Sequence, residues 1–211
     1  MESLERVEIG LDTGRTGKWD QPIETREWEP FSNASTRQSG TDIYTDGSLH
    51  PTEGSGYAAV ILRPGRKLPE SEVVAGSLGK RAGIFDSELA ALEAAVSRVA
   101  ELPLGDTGQE IRLWTDSQAA IGRLKRWRSP KPGQHLSAAI RHKVMSLRAT
   151  GRRVTIGWVK GHSAVPGNEK ADEEARKARS NREGITTISF VKKRISDLYR
   201  AENRPGQPSR W

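Results

Sequence analysis

The chain has 211 residues, 34% of them hydrophobic and 29% charged, with a formal net charge of +7. It contains no cysteine, which excludes a disulfide framework, a disulfide-linked partner and any cysteine-ligated zinc site. No apolar run nears the ~20 residues that cross a bilayer, so no membrane partner is expected, and the basic balance favours a polyanion such as nucleic acid.

The N-terminus, Met1-Glu2-Ser3-Leu4-Glu5-Arg6, lacks a basic start followed by an apolar stretch, so it is not read as a secretory signal. An intracellular protein is expected, with nucleus and cytoplasm not distinguished. Residues 1–40 are polar and mixed in charge, with Gly14, Gly17, Pro22, Pro30 and a Ser, Asn, Thr and Gln stretch from Ser32 to Gly40, and hold no helical or strand period for long. They read as a flexible leader or linker in which Trp19, Trp28 and Phe31 are the exceptions. Acids outnumber bases there, so the positive charge belongs to the rest of the chain.

From Asp42 the texture changes. Ile43-Tyr44-Thr45 is a short β-branched and aromatic strand that delivers Asp46 just before Gly47-Ser48. A second strand covers Tyr57–Leu62, Pro64-Gly65 makes a turn, and Glu72–Leu78 gives a third strand. Connections this short predict an antiparallel meander. The period then switches: Ser87–Val96 is rich in Ala, Leu and Glu, with Leu89, Leu92 and Val96 at helical spacing, until Pro103 and Gly105 stop it. Ile111–Thr115 is a fourth strand, followed at once by Asp116-Ser117 and a helix with Ala119, Ala120, Ile121 and Leu124 on its apolar face. Ser129–Gly133 breaks that helix, and another runs from about His135 to Ala149. Val154–Val159 is the fifth strand, and a loop from Lys160 to Pro166 leads to a last helix over about Gly167–Ser180. Ile185–Tyr199 reads as a strand and a short basic helix, and Pro205–Trp211 as a loose tail.

This order predicts an α/β fold with a mixed five-stranded sheet, three antiparallel strands and then two parallel ones, with helices on both faces. Residues 41–180 form the domain, 1–40 its leader and 181–211 a partly helical extension. Ligands in open α/β sheets gather at the carboxyl ends of strands, where Asp46 and Asp116 both fall. Glu88 opens the first helix and Asp172 lies early in the last. Singly, each acid has a structural explanation: Glu88 favours a helix macrodipole, Asp116 caps a helix, and Asp172 is one charge on a charged helix. Together they converge on one edge of the sheet. Clustered carboxylates repel unless protonated or bound to cations, and an all-oxygen set suits Mg²⁺ or Mn²⁺. Two such ions about 3.5–4 Å apart serve phosphodiester displacement, which agrees with a basic domain.

The motifs Thr45-Asp46-Gly47-Ser48, Ser87-Glu88-Leu89-Ala90-Ala91-Leu92, Trp114-Thr115-Asp116-Ser117-Gln118, Trp158-Val159-Lys160-Gly161-His162 and Gly167-Asn168-Glu169-Lys170-Ala171-Asp172 resemble, in order, those of type 1 ribonuclease H. The run Gly161-His162-Ser163 through Pro166-Gly167-Asn168-Glu169 to Ala171-Asp172 is similar to the RNase H domains of non-LTR retrotransposon polyproteins, fungal ones above all. The resemblance implies a ribonuclease H-like fold and cleavage of the RNA strand of an RNA–DNA hybrid, leaving 3′-hydroxyl and 5′-phosphate ends. It implies two Mg²⁺ ions, replaceable by Mn²⁺, on Asp46, Glu88, Asp116 and Asp172, with Glu88 also at the RNA 2′-hydroxyl. His162 takes the place of a histidine that assists proton transfer or product release. Gly47, Ser48, Ser117, Gln118 and Asn168 become substrate contacts, and Arg123, Lys125, Arg126, Trp127, Arg128 and Lys131 a basic segment that tracks phosphates. In an element the role is template removal beside a reverse transcriptase domain. Cellular members often carry Asn where this chain has Phe85, so one polar contact to the hybrid is either missing or supplied elsewhere. The alternative is a non-catalytic RNA- or hybrid-binding module on the same fold, against which the intact acids and His162 argue. A DNA-cutting or strand-transferring relative is a third reading, and Glu88 with Asp172 favours the RNA-cutting branch.

Overall fold

The computed structural model describes residues 24–27, 40–125, 133–162 and 164–202. Six strands form one sheet: β1 (Glu24–Glu27), β2 (Gly40–His50), β3 (Gly54–Leu62), β4 (Glu72–Gly79), β5 (Glu110–Thr115) and β6 (Arg153–Trp158), in the order β1-β6-β5-β2-β3-β4. β2, β3 and β4 pair antiparallel, whereas β2, β5 and β6 pair parallel. The expected mixed five-stranded sheet is therefore present, with β1 added at its edge.

Both faces of the sheet are covered, and the alternation along β2 shows how. Ile43 belongs to the larger core, with Leu89, Leu92 and Val96 of helix α1 (Ile84–Glu101). The same core takes Ile121 and Leu124 from α3 (Gln118–Lys125), which follows a four-residue turn of helix, α2 (Leu104–Thr107). Ile140 and Val144 of α4 (Gln134–Ala149) complete it. Each fully buried Leu or Val contributes about 1.5–3 kcal/mol. Tyr44, the next residue of β2, belongs to the second core, with Val60, Trp114, Val165 and Ala171 of α5 (Pro166–Lys177). α5 is mostly charged and packs closely because its inner face is small. Gly167 lies directly on the Tyr44 ring, and Gly56 of β3 lies under the Ala175 carbonyl.

A buried ion pair ties β2 to β5 away from their carboxyl ends. Arg112 donates from Nε and Nη2 to both oxygens of Asp42 at 2.7 and 2.9 Å, and Trp114 Nε1 adds a third bond at 2.9 Å. Arg112 is fully buried, so its planar fork is satisfied inside the core rather than at the surface.

Two differences from the sequence reading lie in the extensions. Glu24–Glu27, inside the stretch read as a leader, pairs parallel with β6 from Glu24↔Thr155 to Glu27↔Trp158. An edge strand is held by its backbone alone, so Glu-Thr-Arg-Glu carries no apolar alternation to announce it. Trp19, Trp28 and Phe31 lie outside the described residues. At the other end, residues from Ile185 give no strand. Ser180 bridges to Ser55, the Lys80 amide donates to the Arg182 carbonyl at 3.1 Å, and a single helix, α6 (Ile188–Glu202), follows.

Candidate active site

Thr45 pairs with Thr115 across the parallel β2–β5 contact, and the next residue on each strand is an acid, Asp46 and Asp116. Neighbouring strands lie about 4.8 Å apart, so this register alone brings two carboxylates together. Glu88 arrives from the first turns of α1. The approach is close because β2 has glycine there: a Cβ on Gly47 would lie 2.6 Å from the Glu88 amide nitrogen and 2.8 Å from the Ser87 carbonyl carbon. As a result, one oxygen from each of Asp46, Glu88 and Asp116 lies within 4.8 Å of the others.

Asp46 and Glu88 are 7% and 8% exposed, and three close acids in that setting cannot all carry charge. Burial first, and then the Asp116 charge, push the Asp46 carboxyl up to about 7, although the Gly47 N–H donates to Asp46 Oδ1 at 2.8 Å and Arg176 acts in the opposite sense. Burial, followed by Asp46 and Asp116, pushes Glu88 up to about 9. Asp116 is also raised, mainly by burial, while its own backbone and His162 hold it down. Glu88 Oε2 is buried without a hydrogen-bond partner. An orphaned carboxylate oxygen facing two other acids is a poor arrangement for protein alone and a good one for a divalent cation. The donor set therefore fits the expected ions.

The fourth acid stands apart. Asp172 groups with His162 and Glu169, their ligand atoms within 4.8 Å of one another, and Arg176 Nε donates to Asp172 Oδ1 at 2.8 Å. Glu169 is absent from the acids that the sequence pattern singles out. It stands three residues before Asp172, a spacing that puts both on one helix face, and its charge reaches Asp46. The loop that carries His162 crosses Asp116 through Gly161, where a Cβ would come 2.5 Å from Asp116 Oδ2. His162 itself is exposed and has φ 52. Trp158 Nε1 donates to the Asp116 carbonyl at 3.2 Å, which fixes the backbone at this strand end.

The expected substrate contacts separate into different kinds. Gly47 is the close-approach point just described. Ser48 is buried, and its Oγ accepts bonds from Arg179 Nε and Nη2 at 2.9 and 2.7 Å. Ser117 Oγ accepts the Ala120 N–H at 3.3 Å, so it caps α3. Gln118 is exposed at the start of α3, and Asn168 is 2% exposed with Oδ1 buried and unpartnered. Arg123, expected in a basic phosphate-tracking segment, is 6% exposed on α3. Lys125 is exposed, and Arg126, Trp127, Arg128 and Lys131 lie outside the described residues. Phe85 is partly buried against the larger core, so that position offers no polar group.

The family model for RNase H matches residues 38–180. Ribonuclease H of Paracidovorax citrulli is 33% identical over 138 residues, covering 64% of this chain and 91% of that protein. Ribonucleases H of Verminephrobacter eiseniae and Saccharopolyspora erythraea are each 30% identical, over 139 and 154 residues, covering 64% and 69% of this chain and 88% and 94% of those proteins. Among solved structures, the N-terminal RNase H domain of a Mycobacterium tuberculosis protein, fused to maltose-binding protein, is 21% identical with a TM-score of 0.48, covering 65% of this chain and 91% of that one. The chain belongs to the RNase H family and is a ribonuclease H enzyme.

Proposed function

We propose that this enzyme cuts the RNA strand of RNA–DNA hybrids, leaving 3′-hydroxyl and 5′-phosphate ends, with Asp46, Glu88, Asp116 and Asp172 holding two Mg²⁺ ions for which Mn²⁺ can substitute. The observation that carries this reading is the cluster of buried Asp46 and Glu88 with half-buried Asp116, in which Glu88 Oε2 is unpartnered. Bound there, a pair of divalent ions would supply water activation and stabilisation of the leaving oxygen.

The chain's own residues do the rest. Asp46 and Asp116, fixed by strand register, place their charge at one strand end. To Glu88, which lies beside that pair, falls contact with the RNA 2′-hydroxyl, the group that separates RNA from DNA. His162, exposed on its loop and close to Glu169 and Asp172, is suited to carry a proton to or from the departing strand. Hybrid shape rather than base sequence is what such a site reads, because every group named addresses backbone or sugar. The run from Gly161 to Asp172 supports an origin in a retroelement polyprotein, with a reverse transcriptase domain as neighbour and template removal as the role.

The test is cleavage of a labelled RNA–DNA hybrid beside RNA–RNA and DNA–DNA duplexes, with Mg²⁺, Mn²⁺ or EDTA. Hybrid-only cutting that needs the ion and is lost in Asp116→Asn is the expected result. Cutting retained by Asp116→Asn removes the metal assignment, and tight hybrid binding without cutting moves the protein to the non-catalytic reading.

A further inference from the structure

Arg176 acts on both groups of acids. It follows Asp172 by four residues on α5, so the two share one helix face. Its Nε donates to Asp172 Oδ1 at 2.8 Å, and its Nη2 contacts Asp172 Oδ2. The two side chains are unequal in setting. Asp172 is 14% exposed and Arg176 51% exposed, so the guanidinium reaches an inward-facing carboxylate from the solvent side. Its positive charge also favours the ionised form of Asp46. One monovalent cation of the chain itself thus acts on acids of both groups.

The guanidinium takes one oxygen of Asp172 in a charge-assisted hydrogen bond, and its positive charge offsets the carboxylate charge that a metal ion would use, while Oδ2 stays buried without a hydrogen-bond partner. Asp172 cannot pair its charge and Oδ1 with Arg176 and at the same time give both in full to a divalent ion. We propose that Arg176 is a positioning residue that competes with a divalent cation for Asp172, and so sets how readily the fourth carboxylate joins the metal site. The inference rests on the metal-dependent reading above. Its direct consequence concerns the ion that uses Asp172, and it leaves the ion held by Asp46, Glu88 and Asp116 largely unaffected.

The experiment is calorimetric titration of the full chain with Mn²⁺ alone, without nucleic acid, for the wild type, Arg176→Met, Arg176→Lys, Asp172→Asn, the double variant Asp172→Asn with Arg176→Met, and Asp116→Asn. A half-exposed ion pair is a modest competitor, so Arg176→Met should tighten the weaker Mn²⁺ site by roughly two- to fivefold. Arg176→Lys, a point charge without the planar fork, should fall between it and the wild type. In an Asp172→Asn background Arg176→Met should have no further effect, because the contested ligand is gone. An Arg176→Met isotherm that superposes on the wild type, or is weaker, overturns the inference while the metal reading stands. A wild type that binds no Mn²⁺, or binds it unchanged after Asp116→Asn, overturns the metal reading and this inference with it.

Discussion

Replacing Asp46 by Asn should stabilise the protein in EDTA, and should do so more as pH rises. The Asp46 carboxyl is ordinary in the unfolded chain, near 3.8, and pushed up to about 7 in the folded state. Below pH 3.8 both states hold the proton, and the group contributes nothing to the pH dependence. Between the two values the folded state binds the proton and the unfolded state has released it. Stability therefore falls as pH rises, by about 1.4 kcal/mol for each pH unit. Above about pH 7 the loss is complete, at roughly 4 kcal/mol. The carboxamide of the Asp46→Asn variant has no proton to release and avoids this loss. From about pH 5 to about pH 8 the gap between variant and wild type should widen by about 3 kcal/mol. For a domain of this size that corresponds to roughly 5–10 °C in Tm, which thermal melts at the two pH values in EDTA would read. Mg²⁺ should then raise the wild-type Tm at the higher pH more than that of the variant, because an ion that binds only the folded state stabilises it by mass action. A gap that is equal at the two pH values, or a variant less stable than wild type at the higher one, would refute the argument that buried like charges are confined at this strand end.

Other expectations follow from single contacts. Gly47→Ala should lower hybrid cleavage and destabilise the fold by about 1–3 kcal/mol, since the new Cβ meets the α1 backbone at Ser87 and Glu88; unchanged activity and melting would mean that α1 shifts at no cost. His162→Ala should slow turnover by about a hundredfold while hybrid affinity, read by fluorescence anisotropy, stays within about twofold; lost affinity would show that the imidazole binds rather than transfers a proton. Asp42→Ala should cost about 3–5 kcal/mol in urea unfolding, because it strands the fully buried Arg112 guanidinium, and a loss below about 1 kcal/mol would show that Arg112 finds another partner.

What is legible in the sequence is set by repetition of pattern. Ile43 and Tyr44 advertise a strand buried on both faces, Leu89, Leu92 and Val96 advertise a helix, and Asp46 and Asp116 sit where two such strands stop. The acids stand out because strand ends and helix starts are visible as changes of period. Glu24–Glu27 is invisible because edge pairing is a backbone property, and four polar residues give no period of 2 to read. Arg123 is a different case: within a basic run its type suggests phosphate, and its burial on α3 shows only in the packing.

The functional layer that stays hidden lies on α5 and the turn that follows it. In sequence, Asp172 is singled out, but Glu169, Arg176 and Arg179 are charges in a stretch full of charges. In space they differ in consequence. Glu169 joins Asp172 and His162, Arg176 grips Asp172, and Arg179 occupies the Ser48 hydroxyl, two residues along β2 from Asp46. The helix presents this face to β2 because its small residues, Gly167, Ala171 and Ala175, let it come close. The same closeness that Gly47 permits for α1 is therefore repeated on the opposite face of the same strand. β2 is approached from both sides at glycines and alanines, and the acids that meet at its end are brought there by how near each helix can lie. A substitution that widens either approach should separate carboxylates whose chemistry it leaves untouched, so Gly47→Ala and Ala171→Val should each weaken Mn²⁺ binding with all four acids intact. Ala171→Val with wild-type Mn²⁺ affinity and an unchanged melt would show that α5 has slack and that its closeness is not what places Asp172.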